Sequence, residues 1–457
     1  MTRNTQLGQP TRPARKLVHV DEPNLLREQF PYTEPPRILF DGIQVPYDLP
    51  EEVFITDTTF RDGQQARPPY SRQQVVDLFD MLHRLSGPNG VIRQAEFFVY
   101  TRRDREAVEA CLERGYRYPE ITAWIRANTK DLQLVKAMGL RETGILTSCS
   151  DYHIFLKLGW TREQALNHYL EVLRAALEAG IRPRCHFEDV TRADIEGFVV
   201  PFAQELMRLQ AESGIPIKIR LCDTMGYGVP YPGATLPRSV PRLAHALVHE
   251  AGVPKAQLEW HGHNDFYKGL INATTAWLYG VAGANGTLLG IGERTGNTPV
   301  EGLLIEYASL TGGFNGADPT VITEIADYMA KTGTVIPSNQ PLVGKHFNIT
   351  SAGIHADGVL KNEEIYNIFD TRRLLGRPIG VAVTDKSGLA GIAWWVNRQL
   401  GLNGDDRLPK DHPLVHQLHD WVQQQYAAGR TTAIEDEELL VVAQRLAPQL
   451  FADVAAS

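Results

Sequence analysis

Between residues 53 and 290 the hydrophobic pattern switches back and forth between two periods. Short runs rich in β-branched and aromatic residues occur at 53–59, 91–99, 120–126, 144–148, 182–188, 217–223, 257–263 and 287–290. Each is followed by a stretch of helical spacing, as in Val75, Leu78, Phe79 and Leu82, or Leu166, Tyr169, Leu170 and Leu173. The first kind of run predicts a strand and the second an amphipathic helix. Ser71 with Gln74, and Thr161 with Gln164, have the spacing of capping boxes and mark helix starts. Gly115, Gly139, Gly180 and Gly214 punctuate the joins. Strands separated by helices in series require a parallel sheet, because each return to a parallel strand needs a crossover. Eight such units in about 250 residues predict an α/β fold, a closed (β/α)8 TIM barrel, with an open doubly wound sheet as the competing arrangement.

The same rhythm divides the chain. Residues 1–50 form an N-terminal extension, and its first sixteen, polar with Arg3, Arg12, Arg15 and Lys16, read as a disordered start in preference to a transit peptide. Residues 51–312 hold the catalytic barrel. Residues 313–400 are glycine-punctuated mixed segments, a post-barrel subdomain. Residues 401–457 are a C-terminal helical segment, with two amphipathic helices expected in 409–448.

Composition narrows the class. Hydrophobic residues are 43% of the chain, enough for a large core, and the formal charge is −8 with no basic block, which excludes a dedicated nucleic-acid binder. No apolar run approaches the ~18 residues of a membrane span, and no signal-peptide core stands at the start, so a cytoplasmic protein is expected. Cys111, Cys149, Cys185 and Cys222 are far apart and read as reduced thiols, Cys185 and Cys222 as small apolar fillers.

A barrel builds its active site at the C-terminal ends of its strands. There the chain places Asp57-Thr58-Thr59-Phe60-Arg61-Asp62-Gly63-Gln64-Gln65, then Arg184 to Asp189, Arg220 to Thr224, His261-Gly262-His263-Asn264-Asp265, and Gly292-Glu293-Arg294-Thr295-Gly296-Asn297. Charge is costly inside an apolar barrel, so these clusters predict a polar mouth. His261 and His263, two apart on a strand, leave the same face. Joined by Asp62 across the closed barrel, they make a two-histidine, one-carboxylate site for a divalent metal with open positions for substrate. Gly290, Gly292 and Gly296 have the wrong spacing for a dinucleotide fingerprint and read as a tight loop.

Taken together, DTTFRDGQQ (57–65), HGHND (261–265), GERTGN (292–297) and Ser351-Ala352-Gly353-Ile354-His355 resemble the metal-dependent acyl-CoA condensing enzymes that include 2-isopropylmalate and homocitrate synthases. The resemblance spans roughly residues 53–380. Residues 87–93, Phe97-Phe98 and 185–189 are most similar to the branch of Re-face-specific citrate synthases. It implies a Claisen condensation of acetyl-CoA with a 2-oxo acid and hydrolysis of the thioester. It also implies that Asp62, His261 and His263 hold Mn2+, Mg2+, Co2+ or Zn2+ with Asn297 close by, that Arg61 stabilises the developing oxyanion, and that Gln65 and Thr224 contact substrate. Gln64 stands where many members have glutamate. Glu293, His355 and Tyr366 match the acid–base group, and a homodimer is expected, because members supply the post-barrel segment across a dimer. Arg184 and His186 match positions that contact the acceptor, with Glu188 at the end of the same strand. A cation at 184 suits a second carboxylate, as in oxaloacetate or 2-oxoglutarate, against the branched alkyl of 2-oxoisovalerate, and the bulkier His186 is expected to shorten the pocket in favour of four-carbon oxaloacetate. Too few residues follow Arg398 for a regulatory domain of the isopropylmalate synthase kind.

Four other readings compete. An acyl-CoA lyase would need a cysteine in the loop 287–297, which has none. A non-haem iron oxygenase would share the ligand set but not the strand–helix alternation. A biotin-dependent carboxytransferase fits the barrel and HxH, but not GERTGN or the His355 segment. A metal-stabilised binding protein would leave Arg61, Glu293 and His355 without purpose.

Overall fold

The computed structural model describes residues 13–402 and 404–452. Residues 1–12, most of the start expected to be disordered, lie outside these. The chain forms two compact units, residues 1–321 and 322–457.

In the first unit eight parallel strands close into a barrel: β1 Phe54–Asp57, β2 Ile92–Phe97, β3 Glu120–Arg126, β4 Glu142–Ser148, β5 Arg182–Glu188, β6 Lys218–Asp223, β7 Leu258–Gly262 and β8 Gly283–Gly286. Pairing of Phe54 with Gly283 through Asp57 with Gly286 joins the last strand to the first. Both predicted capping boxes are present, Ser71 starting helix Arg72–Ser86 and Thr161 starting helix Arg162–Glu178. The first helix buries Val75, Leu78, Phe79 and Leu82, each worth about 1.5–3 kcal/mol when removed from water.

The eighth strand corrects the sequence reading. It is Gly-Ala-Asn-Gly at 283–286, and the β-branched run taken for it, 287–290, is the turn that follows. A Cβ on Gly283 would stand 2.9 Å from the Phe54 ring and 3.0 Å from Glu259 Cγ, so the closing strand must be thin there.

The barrel interior also departs from expectation. Inward positions carry Gln94, Glu96, Thr122, Glu142, Arg184, Arg220 and Glu259, all buried, where aliphatic layers are usual. Arg184 Nη2 donates to Glu96 (2.6 Å) and Thr122 (3.0 Å), and its Nη1 to Gln94 (3.0 Å) and Glu142 (3.1 Å). Arg220 bridges Glu259 (2.7 Å) and Glu96 (2.9 Å), and Lys218 closes on Glu142 at 3.0 Å. Each sign is matched by the other, which makes burial of the charges tolerable.

Residues 13–50, among which no helix is found in the described part, strap onto the barrel. Val18 N donates to Gly197 O, Asn24 N to Asp151, and Asp48 accepts from Lys255 and faces His249 at 2.8 Å. The cysteines are free and buried. No helix among the described residues is long and apolar enough to cross a membrane.

In the second unit, helices Leu389–Gln399, Pro413–Ala427 and Asp436–Leu446 share one core of Ile392, Trp395, Val396, Leu418, Val422 and Leu439. The last two helices fall within the predicted 409–448. Trp395 Nε1 donates to Asp436 at 2.8 Å. Strands Ile349–Thr350 and Gly380–Val381 pair in parallel beside helix Gly353–Lys361.

Candidate metal centre and active site

The polypeptide leaves β1 through one tight turn, Thr59–Gly63, which brings Arg61 and Asp62 back over the barrel mouth. His261 lies on β7 and His263 just past its end. The ligand atoms of Asp62, His261 and His263 lie within 4.8 Å of one another, and all three side chains are buried. Asp62 Oδ2 is 3.7 Å from His261 Nε2 and 3.5 Å from His263 Nε2. Its other oxygen, Oδ1, accepts from Arg61 at 2.9 Å and from Gln65.

Two observations bear on whether this set fits a metal. Asp62 Oδ2 and Asn297 Oδ1 are buried acceptors without a hydrogen-bond donor, which is costly unless a cation takes them. The histidines are held neutral: burial lowers both, and His263, further depressed by His261, falls to about 4. Burial alone would raise the Asp62 carboxyl, but Arg61, His261 and His263 outweigh it and hold it at about 2. One carboxylate and two neutral imidazoles suit a divalent ion.

The rest of the mouth is a cavity of about 250 Å³ whose lining includes Gln65, Trp124, Lys157, His186, Glu188 and Thr224. Arg61 is fixed on two sides, by Asp62 and by the Trp124 ring at 4.3 Å. Glu188 accepts from His153 (2.8 Å), Lys157 (3.1 Å) and Ser148, and these partners bring its carboxyl to about 2 although burial opposes it. Thr224 Oγ1 accepts from Asp189 N at 2.9 Å. Asn297 is drawn in close, since a Cβ on Gly292 would stand 2.2 Å from its Nδ2. Glu293 is exposed on the same loop, and Arg294 pairs with Asp265 at 2.8 Å.

Arg184 does not line this cavity. Its side chain is 0% exposed and both terminal nitrogens are taken by four acceptors inside the barrel, so the expected contact with a substrate carboxylate is corrected. His186, one inward position further along β5, does reach the lining; burial, with Arg220 and Arg184 nearby, lowers it to about 3 despite Glu96 at 3.2 Å. His355 and Tyr366 belong to the second unit, where their rings lie 4.4 Å apart.

Three contributors escaped the sequence reading. Asn285 Oδ1 faces His261 Nδ1 at 2.7 Å, hidden in a strand with no β signature. Trp124 and Lys157 were unmarked by any motif, although Trp124 sits at an inward position of a predicted strand.

Residues 52–328 match the HMGL-like family, and this chain belongs to it. Over 437 residues, 95% of this chain and 70% of the relative, it is 61% identical to citrate (Re)-synthase of Syntrophus aciditrophicus. It is 53% identical to citrate (Re)-synthase of Clostridium kluyveri over 95% of this chain and 96% of the relative. A 2-phosphinomethylmalate synthase of Streptomyces hygroscopicus is 37% identical over 93% and 96% of the two chains. Among solved structures, hydroxymethylglutaryl-CoA lyases of Pseudomonas aeruginosa (TM-score 0.50, 21% identity, 63% of this chain and 95% of that one) and Bacillus subtilis (0.51, 20%, 64% and 97%) share the barrel fold.

Proposed function

We propose that this chain condenses acetyl-CoA with oxaloacetate in a Claisen reaction and hydrolyses the thioester to citrate and CoA, attacking the Re face of the ketone. The observation that carries this reading is near-full-length similarity to two citrate (Re)-synthases, at 61% and 53% identity.

Asp62, His261 and His263, with Asn297, are the residues to hold Mn2+, Mg2+, Co2+ or Zn2+. Such an ion supplies Lewis-acid polarisation of the acceptor ketone. Arg61, set between Asp62 and Trp124, places a fixed positive charge where the carbonyl oxygen gains electrons. Gln65 and Thr224 are the proposed contacts to the oxo-acid carboxylate. With Arg184 occupied elsewhere, Lys157, Arg61 and Arg294 are the cavity-lining cations left for the second carboxylate, and His186 and Glu188 bound the pocket. His355 is the proposed base for the acetyl methyl proton, with the Tyr366 ring tilted against it at 38°, and Glu293 is the other acid–base candidate. A homodimer in the cytoplasm is part of the same reading.

The test is CoA thiol release from acetyl-CoA with oxaloacetate, 2-oxoglutarate, 2-oxoisovalerate or pyruvate, with Mn2+ or EDTA. Metal-dependent release with oxaloacetate above the rest is expected. Preference for 2-oxoglutarate would move the reading to homocitrate formation, and silence with all four would sink it.

A further inference from the structure

The second unit contains a cavity of about 440 Å³, within the size range of small-molecule sites. Its lining carries Lys361, Arg372, Arg398 and Arg407 against the single carboxylate of Glu363, with the Trp394 indole as its aromatic wall. Lys361 ends helix Gly353–Lys361, Arg372 lies in the short helix Thr371–Leu375, and Trp394 and Arg398 stand one turn apart on helix Leu389–Gln399.

Cations in last helical turns ordinarily offset carbonyl ends, worth about half a charge per helix. Here the cations exceed that demand, and most are poorly paired. Lys361 does pair with Asp357 at 2.6 Å, but Arg398 reaches Asp436 only at 4.0 Å and Arg407 donates to the Leu360 carbonyl at 3.1 Å. The Arg372 guanidinium has no hydrogen-bond or ion-pair partner among the described residues. In a chain of net charge −8, a concavity this cationic attracts and holds a multivalent anion.

We propose that this cavity binds a nucleoside polyphosphate. The guanidinium groups donate to phosphate oxygens in forked pairs. The Trp394–Arg398 pair, 5.4 Å from guanidinium carbon to ring centre, offers the flat surface on which a purine stacks. Free ADP and the 3′-phosphorylated ADP end of coenzyme A share this chemistry. Each residue named for it lies within 322–457, and none of them is among those proposed for the condensation.

The test titrates the full-length protein with ADP, CoA, inorganic pyrophosphate and adenosine, and repeats it on Arg372→Glu/Arg407→Glu after matching thermal midpoints. Arg372→Gln, a milder change at an exposed side chain, replaces the double variant where that does not fold. Hydrogen–deuterium exchange with and without ADP locates the contact. ADP is expected to bind below ~1 mM, to lose about tenfold or more on charge reversal, and to slow exchange around residues 359–363 and 394–398. Adenosine should bind more weakly than ADP. A matching loss for CoA identifies the coenzyme's nucleotide end as occupant, and a loss for ADP alone identifies a free nucleotide. ADP binding of equal strength in the variants, no binding, or self-association that vanishes on charge reversal without any ADP effect would each overturn the site.

Discussion

Asn285 Oδ1 accepts the Nδ1 hydrogen of His261 at 2.7 Å, while Asn285 Nδ2 donates to Thr56 Oγ1 at 2.9 Å and to the Thr56 carbonyl. Because a carbonyl only accepts, the second contact fixes which way the amide points. The first then fixes the imidazole tautomer, leaving the Nε2 lone pair aimed at Asp62. Asn285 is therefore a positioning residue. Asn285→Ala should weaken Mn2+ binding by about 10- to 100-fold, read by calorimetry or by the electron spin resonance of free Mn2+. Unchanged affinity would show that the ring holds its orientation without the amide.

Arg184 makes a different kind of contribution. Removing it strands Glu96 and Glu142 inside the barrel without their shared partner. Arg184→Met should cost about 3–5 kcal/mol in urea unfolding, the usual penalty for breaking one side of a buried ion pair. The order of preference among oxo acids should stay as in the parent protein. A variant of normal stability with altered acceptor preference would return Arg184 to the substrate pocket.

Metal should couple to stability as well as to turnover. An ion held only by the folded chain adds about 2.7 kcal/mol at a hundred times its dissociation constant. Thermal scans with Mn2+ and with EDTA should therefore differ by several degrees, and Asp62→Asn should abolish the difference. A persistent shift in that variant would place the stabilising ion elsewhere.

Glu301, buried at the start of helix Val300–Thr311, accepts from Leu289 N at 3.0 Å, and burial raises its carboxyl to about 7. The folded state thus holds a proton that the unfolded state releases near the ordinary value of 4.5. The contribution is full below about 4.5 and is lost as pH rises toward 7, amounting to about 3 kcal/mol. Glu301→Gln should match the parent protein at low pH and exceed it above pH 7 in denaturant unfolding. Parallel stability–pH curves would refute the shift.

The strand–helix rhythm was legible because seven of the eight strands carry branched or aromatic residues with turn glycines between them. β8 was not: a strand of Gly-Ala-Asn-Gly has no local preference for extension, and only the crowding of Phe54 and Glu259 against it explains its composition. The convergence of Asp62, His261 and His263 was legible, since HxH places both rings on one face and the barrel mouth supplies a carboxylate. Depth along a strand was not. Arg184, His186 and Glu188 share one face of β5, yet the first is sealed in the interior and the other two reach the mouth. Which rung meets solvent depends on strand tilt and on partners far away in sequence. Asn285 escaped for the same reason, its role being set by a ring on the neighbouring strand.

The proposed metal-binding residues are also spread across the order of synthesis. Asp62 emerges from the ribosome with the first strand, whereas His261, His263 and Asn297 follow only with the last two. No truncated chain ending before β8 closes against β1 can assemble the set, however much of the barrel it contains. Binding of an ion by the proposed set therefore requires that β8 has been made and has closed against β1.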